Sequence, residues 1–144
     1  MLGKYPRALI CITGAESEKP KAEHMRKQIN SDRCINIAGK TSLDELMVLY
    51  CMADVLITND SGPAHFASLT RIQTIVLFGP ETPHLFAANS DHSQSIYLGL
   101  SCSPCINALN NRQTACRDNQ CMKQITPSQV RSEEHTSELQ SRQY

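Results

Sequence analysis

The sequence has no excess of charge of either sign, because 14 lysines and arginines are matched by 14 aspartates and glutamates. It also has no strongly basic block, so it lacks the surface with which nucleic-acid-binding proteins neutralise phosphates. No apolar run approaches the ~20 residues that a helix needs to cross a bilayer, and the first residues carry no secretory signal. The 144 residues are enough for one compact domain with one core, and we expect no nucleic-acid partner and a cytoplasmic location.

Seven cysteines are many for this length, and their odd number without an export signal favours a reducing compartment. Cys11, Cys34 and Cys51 lie inside apolar segments, which predicts buried thiols. The other four have a spacing compatible with tetrahedral zinc: Cys102, Cys105, Cys116 and Cys121. Free thiols and disulfides are the alternatives. We predict no metal and no cofactor, with these four cysteines as the candidate ligands if zinc does bind.

Five short apolar runs predict strands, most of them closed by glycine or by a polar turn: Ala8–Thr13, Cys34–Ala38, Asp54–Thr58, Thr74–Phe78 and Ser95–Leu98. The first of them is continuous enough to predict a strand buried on both faces. Helices are predicted between the strands, over 21–29, 43–53 and 64–69, and again from Thr126 onward. Strands that alternate with helices predict an α/β fold with a mostly parallel sheet.

The stretch Asn59 to His65 is the most informative, because it joins a buried strand to the start of a helix. Free N–H groups and the helix dipole favour an anion there. Gly62 allows a phosphate close to the backbone, while Ser61 and His65 add donors. Asp60, an acceptor when ionised, suits sugar hydroxyls or a backbone clamp. A diphosphate site and a simple helix cap are both compatible with this pattern.

The ordered motifs resemble glycosyltransferase family 9, the family of the ADP-heptose:lipopolysaccharide heptosyltransferases. They are Asp60-Ser61-Gly62-Pro63-x-His65 after a strand, Phe78-Gly79-Pro80 at the end of the next strand, and Cys102-x-x-Cys105. The likeness runs from about Ala8 to Val130. It implies a GT-B enzyme, built from two Rossmann-like domains, of which this chain is the C-terminal, donor-binding half. The N-terminal acceptor domain is then missing, and a fragment of this kind is expected to be inactive alone.

The resemblance implies a transfer of heptose from ADP-heptose to a lipopolysaccharide-core acceptor, without a metal. The donor-binding residues carried over are Asp60, Ser61, Gly62, His65, Lys19 and Gly79. Lys19 stands where the family often has a lysine that reaches the donor phosphate, although Gly14-Ala15 and Pro20-Lys21 depart from the family pattern nearby. No catalytic residue is expected here, since the general base belongs to the acceptor domain. A peripheral contact with the inner membrane is a further expectation.

Two alternatives remain open at this point. One is a non-catalytic nucleotide-binding or zinc-stabilised module, and the other is a sugar-nucleotide epimerase of the same GT-B architecture.

The end of the chain differs from the rest, because residues 131–144 are polar and resemble the in-frame translation of a sequencing-library adapter. We predict that the domain covers 1–130 and that 131–144 is a non-native tail that packs on nothing. A natural polar tail is the alternative.

Overall fold

The computed structural model of the protein describes residues 2–3, 5–88 and 90–133. The chain divides into two compact units, Met1–Leu46 and Met47–Tyr144. None of the helices in the described part of the chain is long and apolar enough to span a bilayer.

The first unit is a pair of parallel strands with one long helix. Its elements are β1 (Ile10–Ile12), a 3₁₀ turn (Glu16–Glu18), α1 (Lys19–Ile29) and β2 (Cys34–Asn36). The two strands run parallel, with Cys11 opposite Ile35. Asn30 ends α1 in the left-handed conformation that favours asparagine and glycine (φ 47°). Ala22, Cys34 and Ala38 are the buried apolar residues of this unit.

Two of the three predicted buried thiols are exposed. Cys34 is buried, but Cys11 and Cys51 are not. Cys11 is the register partner of Ile35, so both point to the same face of the small sheet, and both are exposed. β1 is therefore not buried on both faces, and the prediction drawn from its continuous apolar run is wrong. Cys51 follows Tyr50, which occupies the inward position of its helix.

The second unit is a three-stranded parallel sheet with short helices. Helix α2 (Leu43–Met52) begins in the first unit and continues into the second. Then follow β3 (Val55–Asn59), α3 (Gly62–Ala67), β4 (Gln73–Phe78), α4 (Pro83–Phe86), β5 (Ser93–Tyr97), a 3₁₀ turn (Ala108–Asn110) and α5 (Gln120–Lys123). The strand order is β3-β4-β5, and both pairings are parallel.

The core of the second unit lies along β4. Val76 and Phe78 are buried together with Ala64 of α3, and Phe86 and Tyr97 pack against them. Burial of large apolar side chains at about 25 cal/mol per Å² is what holds such a small sheet to its helices. The central strand is therefore the rigid support from which the flanking loops extend.

The predicted α/β class with parallel strands is confirmed, although the strands form two sheets, β1-β2 and β3-β4-β5, instead of one. The predicted cap of α2 is also confirmed. Ser42 accepts from the Glu45 N–H (3.2 Å), and the Glu45 carboxylate accepts from the Ser42 N–H (2.8 Å), so the pKa of Glu45 is lowered. Helix α5, inside the cysteine-rich loop, was not predicted.

A last helix covers 127–133, with Thr126 as its cap. Residues 131–133 thus continue the helix that begins before the predicted boundary. Ser132 and Glu133 line a shallow cavity beside β5 together with Tyr97. The prediction that 131–144 is a non-native tail stays a prediction. The rest of the predicted tail, 134–144, lies outside the described residues.

Candidate functional site

The turn between β3 and α3 is built as the motif predicts. The Asp60 N–H donates to the Leu77 carbonyl (3.2 Å), which keeps the turn on the sheet beyond the last residue of β3. Ser61 is the extended residue at the start of α3 (φ −163°), and Pro63 stands in the first turn of the helix. Ala64 and Ala67 face the core, so Ser61, Gly62 and His65 remain on the exposed side.

The start of α3 has few free backbone N–H groups, and the helix is short. Helix α3 has six residues, Pro63 has no N–H, and the Ala64 N–H already donates to the Ser61 carbonyl (3.0 Å). The Ser61 hydroxyl donates to the Asn59 carbonyl (3.2 Å) and does not cap the helix. Anion binding here must therefore depend on side chains as much as on the helix dipole.

Two carboxyl groups meet at the carboxyl ends of β3 and β4. Asp60 follows β3 and Glu81 follows β4, and these strands are parallel neighbours. Partial burial of Asp60 raises the pKa of its carboxyl group, and the charge of Glu81 raises it further, while His65 and Arg112 lower it. Glu81 is the residue that sequence reasoning missed, although it directly follows the Phe78-Gly79-Pro80 motif.

Arg112 approaches the same place from a distant part of the chain. Its Nη1 atom lies 3.8 Å from Oε1 of Glu81, whose side chain is only 13% exposed. Its guanidinium also lies over the ring of Phe86, 5.1 Å from the centroid. No motif marks this arginine in the sequence. Only the fold of the loop before α5 brings it to Glu81.

Gly79 is buried beneath α5. A Cβ atom at this position would lie 2.5 Å from Sδ of Met122 and 3.1 Å from Sγ of Cys121. The Gly79 carbonyl accepts a hydrogen bond from the Ser103 hydroxyl. The absence of a side chain is thus explained by close packing, and a contact of Gly79 with a donor stays a prediction.

The first unit holds Lys19 and the two glycines that end its strands. The Gly39 N–H donates to the Gly14 carbonyl (2.8 Å), so the loops after β1 and β2 meet. Lys19 begins α1, and its amine pairs with Glu16 at 3.1 Å on an exposed surface. Such an exposed pair contributes little to stability, so Lys19 is available for other partners. Its role in donor binding stays a prediction.

The four late cysteines line a single cavity of about 230 Å³. Cys121 is buried, and the burial raises the pKa of its thiol. The N–H groups of Asn119 and Asp118 lower the pKa of the exposed Cys116 thiol. Within residues 2–3, 5–88 and 90–133, no group of three or more histidine, cysteine or acidic side chains is arranged to hold a metal ion. The structure therefore brings these four thiols to one cavity.

Comparison with known proteins assigns this arrangement to a family. The sequence profile of "Glycosyltransferase family 9 (heptosyltransferase)" matches residues 7–116, more than half of the chain. The chain belongs to glycosyltransferase family 9. The match includes the β3–α3 motif, the loop after β4 and three of the four late cysteines.

Several heptosyltransferases are similar to this family 9 chain. Lipooligosaccharide heptosyltransferase 2 of Campylobacter jejuni is 30% identical over 98 residues, 66% of this chain and 29% of that protein. Lipopolysaccharide heptosyltransferase 2 of Salmonella typhimurium is 25% identical over 130 residues, 88% of this chain and 36% of that protein. The chain thus spans about a third of the curated relatives it matches.

Solved structures agree on the fold of the family 9 chain. E. coli ADP-heptose lps heptosyltransferase II superposes with a TM-score of 0.76, covering 93% of this chain and 37% of that one at 23% identity. The glycosyl transferase family 9 protein of Veillonella parvula gives a TM-score of 0.75 at 20% identity. The chain therefore has the α/β architecture of part of a GT-B heptosyltransferase.

Proposed function

We propose that this chain holds the nucleotide-sugar donor site of a heptosyltransferase, which transfers heptose from ADP-heptose to a lipopolysaccharide-core acceptor. The proposal is supported chiefly by the β3–α3 turn, where Ser61, Gly62 and His65 are exposed beside Asp60 at the carboxyl end of a parallel strand. In open α/β sheets, ligands bind at this end of the strands. The similarity to heptosyltransferases supplies the chemical identity of the donor.

The side chains of this turn suit the two parts of such a donor. Ser61 and His65 are donors for the diphosphate. Gly62 has no side chain, and the space where one would stand is open, because the nearest atom to an added Cβ would be 3.6 Å away on Phe66. The diphosphate can therefore approach the backbone of Gly62. Asp60 accepts hydrogen bonds from sugar hydroxyls. When the bond between the anomeric carbon and the diphosphate breaks, negative charge develops on the leaving nucleotide, and donors already in place stabilise it.

We place the acceptor and the base that takes its proton in the part of the relatives that this chain does not match. Asp60 is then a binding residue and not the general base. Because the proposed acceptor is a lipid-linked core, we propose that the enzyme is cytoplasmic and works at the inner membrane. A rival assignment as an epimerase would also use a nucleotide sugar, so donor binding alone does not separate the two, whereas transfer to an acceptor does.

Calorimetric titration of the chain with ADP tests the donor site. We expect binding that weakens roughly ten- to hundredfold when Ser61 or His65 is replaced by alanine, because each variant loses a hydrogen bond to a charged group. His24→Ala removes an exposed histidine of α1 in the other unit and serves as the matched control. Unchanged affinity in both site variants, or no binding by the unaltered chain, would refute the assignment.

A further inference from the structure

The loop that carries Arg112 is held in a defined conformation. Asn111 and Arg112 both have positive φ angles, 52° and 56°. The Arg112 N–H donates to the Asn107 carbonyl (3.0 Å), and the Asn107 side chain accepts from the N–H groups of Leu109 and Asn110. A left-handed arginine is uncommon, and it persists only where surrounding contacts hold it. These hydrogen bonds fix the point from which the Arg112 side chain extends.

Two contacts orient the guanidinium and leave most of it open. Glu81 lies at 3.8 Å, too long for a hydrogen bond but close enough for an ion pair, and the Phe86 ring supports the guanidinium from its face. The Arg112 side chain is nevertheless 63% exposed, whereas that of Glu81 is 13% exposed. Arg112 is therefore a positioned cation with N–H donors directed to solvent.

The charges around this arginine show why a phosphate ligand needs it. Asp60 and Glu81 stand together at the strand ends, and their negative charges repel an incoming diphosphate. His65 and Arg112 are the two groups that act on Asp60 with the opposite sign. The short helix α3 contributes little additional positive potential.

We propose that Arg112 binds the diphosphate of the nucleotide donor, with Glu81 and Phe86 holding its guanidinium in place. The inference rests on the proposed function, since it adds a residue to that same site. The planar fork of a guanidinium matches the geometry of phosphate oxygens, which a lysine ammonium cannot reproduce.

The test compares ADP with adenosine as probes of the full chain. Arg112→Gln is expected to weaken ADP binding roughly ten- to hundredfold and to leave adenosine binding unchanged, because adenosine has no phosphate. Arg112→Lys should recover part of the loss. Arg117→Gln is the matched control, because Arg117 is an exposed arginine of the same loop. Thermal unfolding verifies that all variants are folded.

Three outcomes overturn the inference. Unchanged ADP affinity in Arg112→Gln, while Ser61→Ala weakens it, refutes the role of Arg112 and leaves the donor site standing. An equal loss for ADP and adenosine shows that the arginine does not act through the diphosphate. Absence of ADP binding by the unaltered chain refutes the donor site and this inference with it.

Discussion

Replacing Gly79 by alanine separates two roles that the sequence alone could not distinguish. The added Cβ would lie 2.5 Å from Sδ and 2.7 Å from Cγ of Met122, and 3.1 Å from Sγ of Cys121. Gly79 does not have a positive φ angle, so the backbone tolerates alanine and the whole cost is steric. Overpacking of this kind destabilises by about 1–3 kcal/mol. We expect the lower end, because the methionine side chain is flexible.

A second substitution relieves most of this cost. In a Met122→Ala background only Sγ of Cys121 remains close to the added Cβ, at 3.1 Å, and the lower entropy of the unfolded chain offsets about 0.4–1 kcal/mol. Alanine at Gly79 should therefore cost clearly less there than in the unaltered chain. A loss of about 1 kcal/mol in the unaltered background corresponds to a fall in Tm of roughly 2–8 °C for domains of sizes that bracket this one. Urea unfolding followed by circular dichroism measures the midpoint and slope for all four proteins.

The packing explanation fails if Gly79→Ala costs the same with and without Met122. Gly62→Ala is the control, since an added Cβ there meets only Phe66 at an ordinary 3.6 Å. That control should keep or slightly raise stability. If the donor's phosphate approaches the backbone at Gly62, the Gly62→Ala substitution should also weaken ADP binding. The Gly79→Ala/Met122→Ala protein should bind ADP as Met122→Ala does, unless Gly79 itself contacts the donor.

Three further predictions concern charge and thiols. Hydrogen bonds from Arg26 and Asn36 hold the pKa of Glu23 at about 2. The contribution of Glu23 to stability is therefore present above the ordinary value of 4.5 and is lost as the pH falls toward 2. The difference in urea midpoint between the unaltered chain and Glu23→Gln should close over that range. The pKa of Asp60 is instead raised by burial and by Glu81, so its ionised form is penalised; Asp60→Asn should raise Tm at neutral pH, and the gain should vanish below the ordinary value of 3.8. Elemental analysis of protein purified without chelator should find no stoichiometric zinc; one zinc per chain, lost in Cys102→Ser/Cys105→Ser, would contradict our prediction.

Local patterns predicted most of the elements of this protein. The capping pair of Ser42 and Glu45 and the placement of Pro63 in the first turn of α3 both follow from hydrogen bonding within a few residues. Short apolar runs closed by glycine likewise predicted the first two strands, although β1 ends at Ile12 instead of Thr13 and β2 at Asn36 instead of Ala38. Such signals depend on neighbours in the chain, and so they are readable without the fold.

Burial was less predictable, because it depends on what covers each face. The apolar run around Cys11 suggested a strand buried on both sides, yet Cys11 and its partner Ile35 are exposed. The run of β4 has the same appearance in sequence, and there Ile75 and Val76 are buried, between β3 and β5. Two similar runs thus differ because Ala64 of α3 and Phe86 cover β4, whereas the face of β1 that carries Cys11 is exposed.

Residues close together along the chain were enough to predict the parallel α/β class, the family and the turn from Asp60 to His65. The folded structure was needed to show that Glu81 and Arg112 lie close enough to Asp60 to act on its charge, and that Gly79 packs against Met122. Parallel pairing sets the ends of β3 and β4 side by side, and the folded loop before α5 returns the arginine to them. Contacts between residues so distant in sequence arise only when the sheet and its loops are assembled.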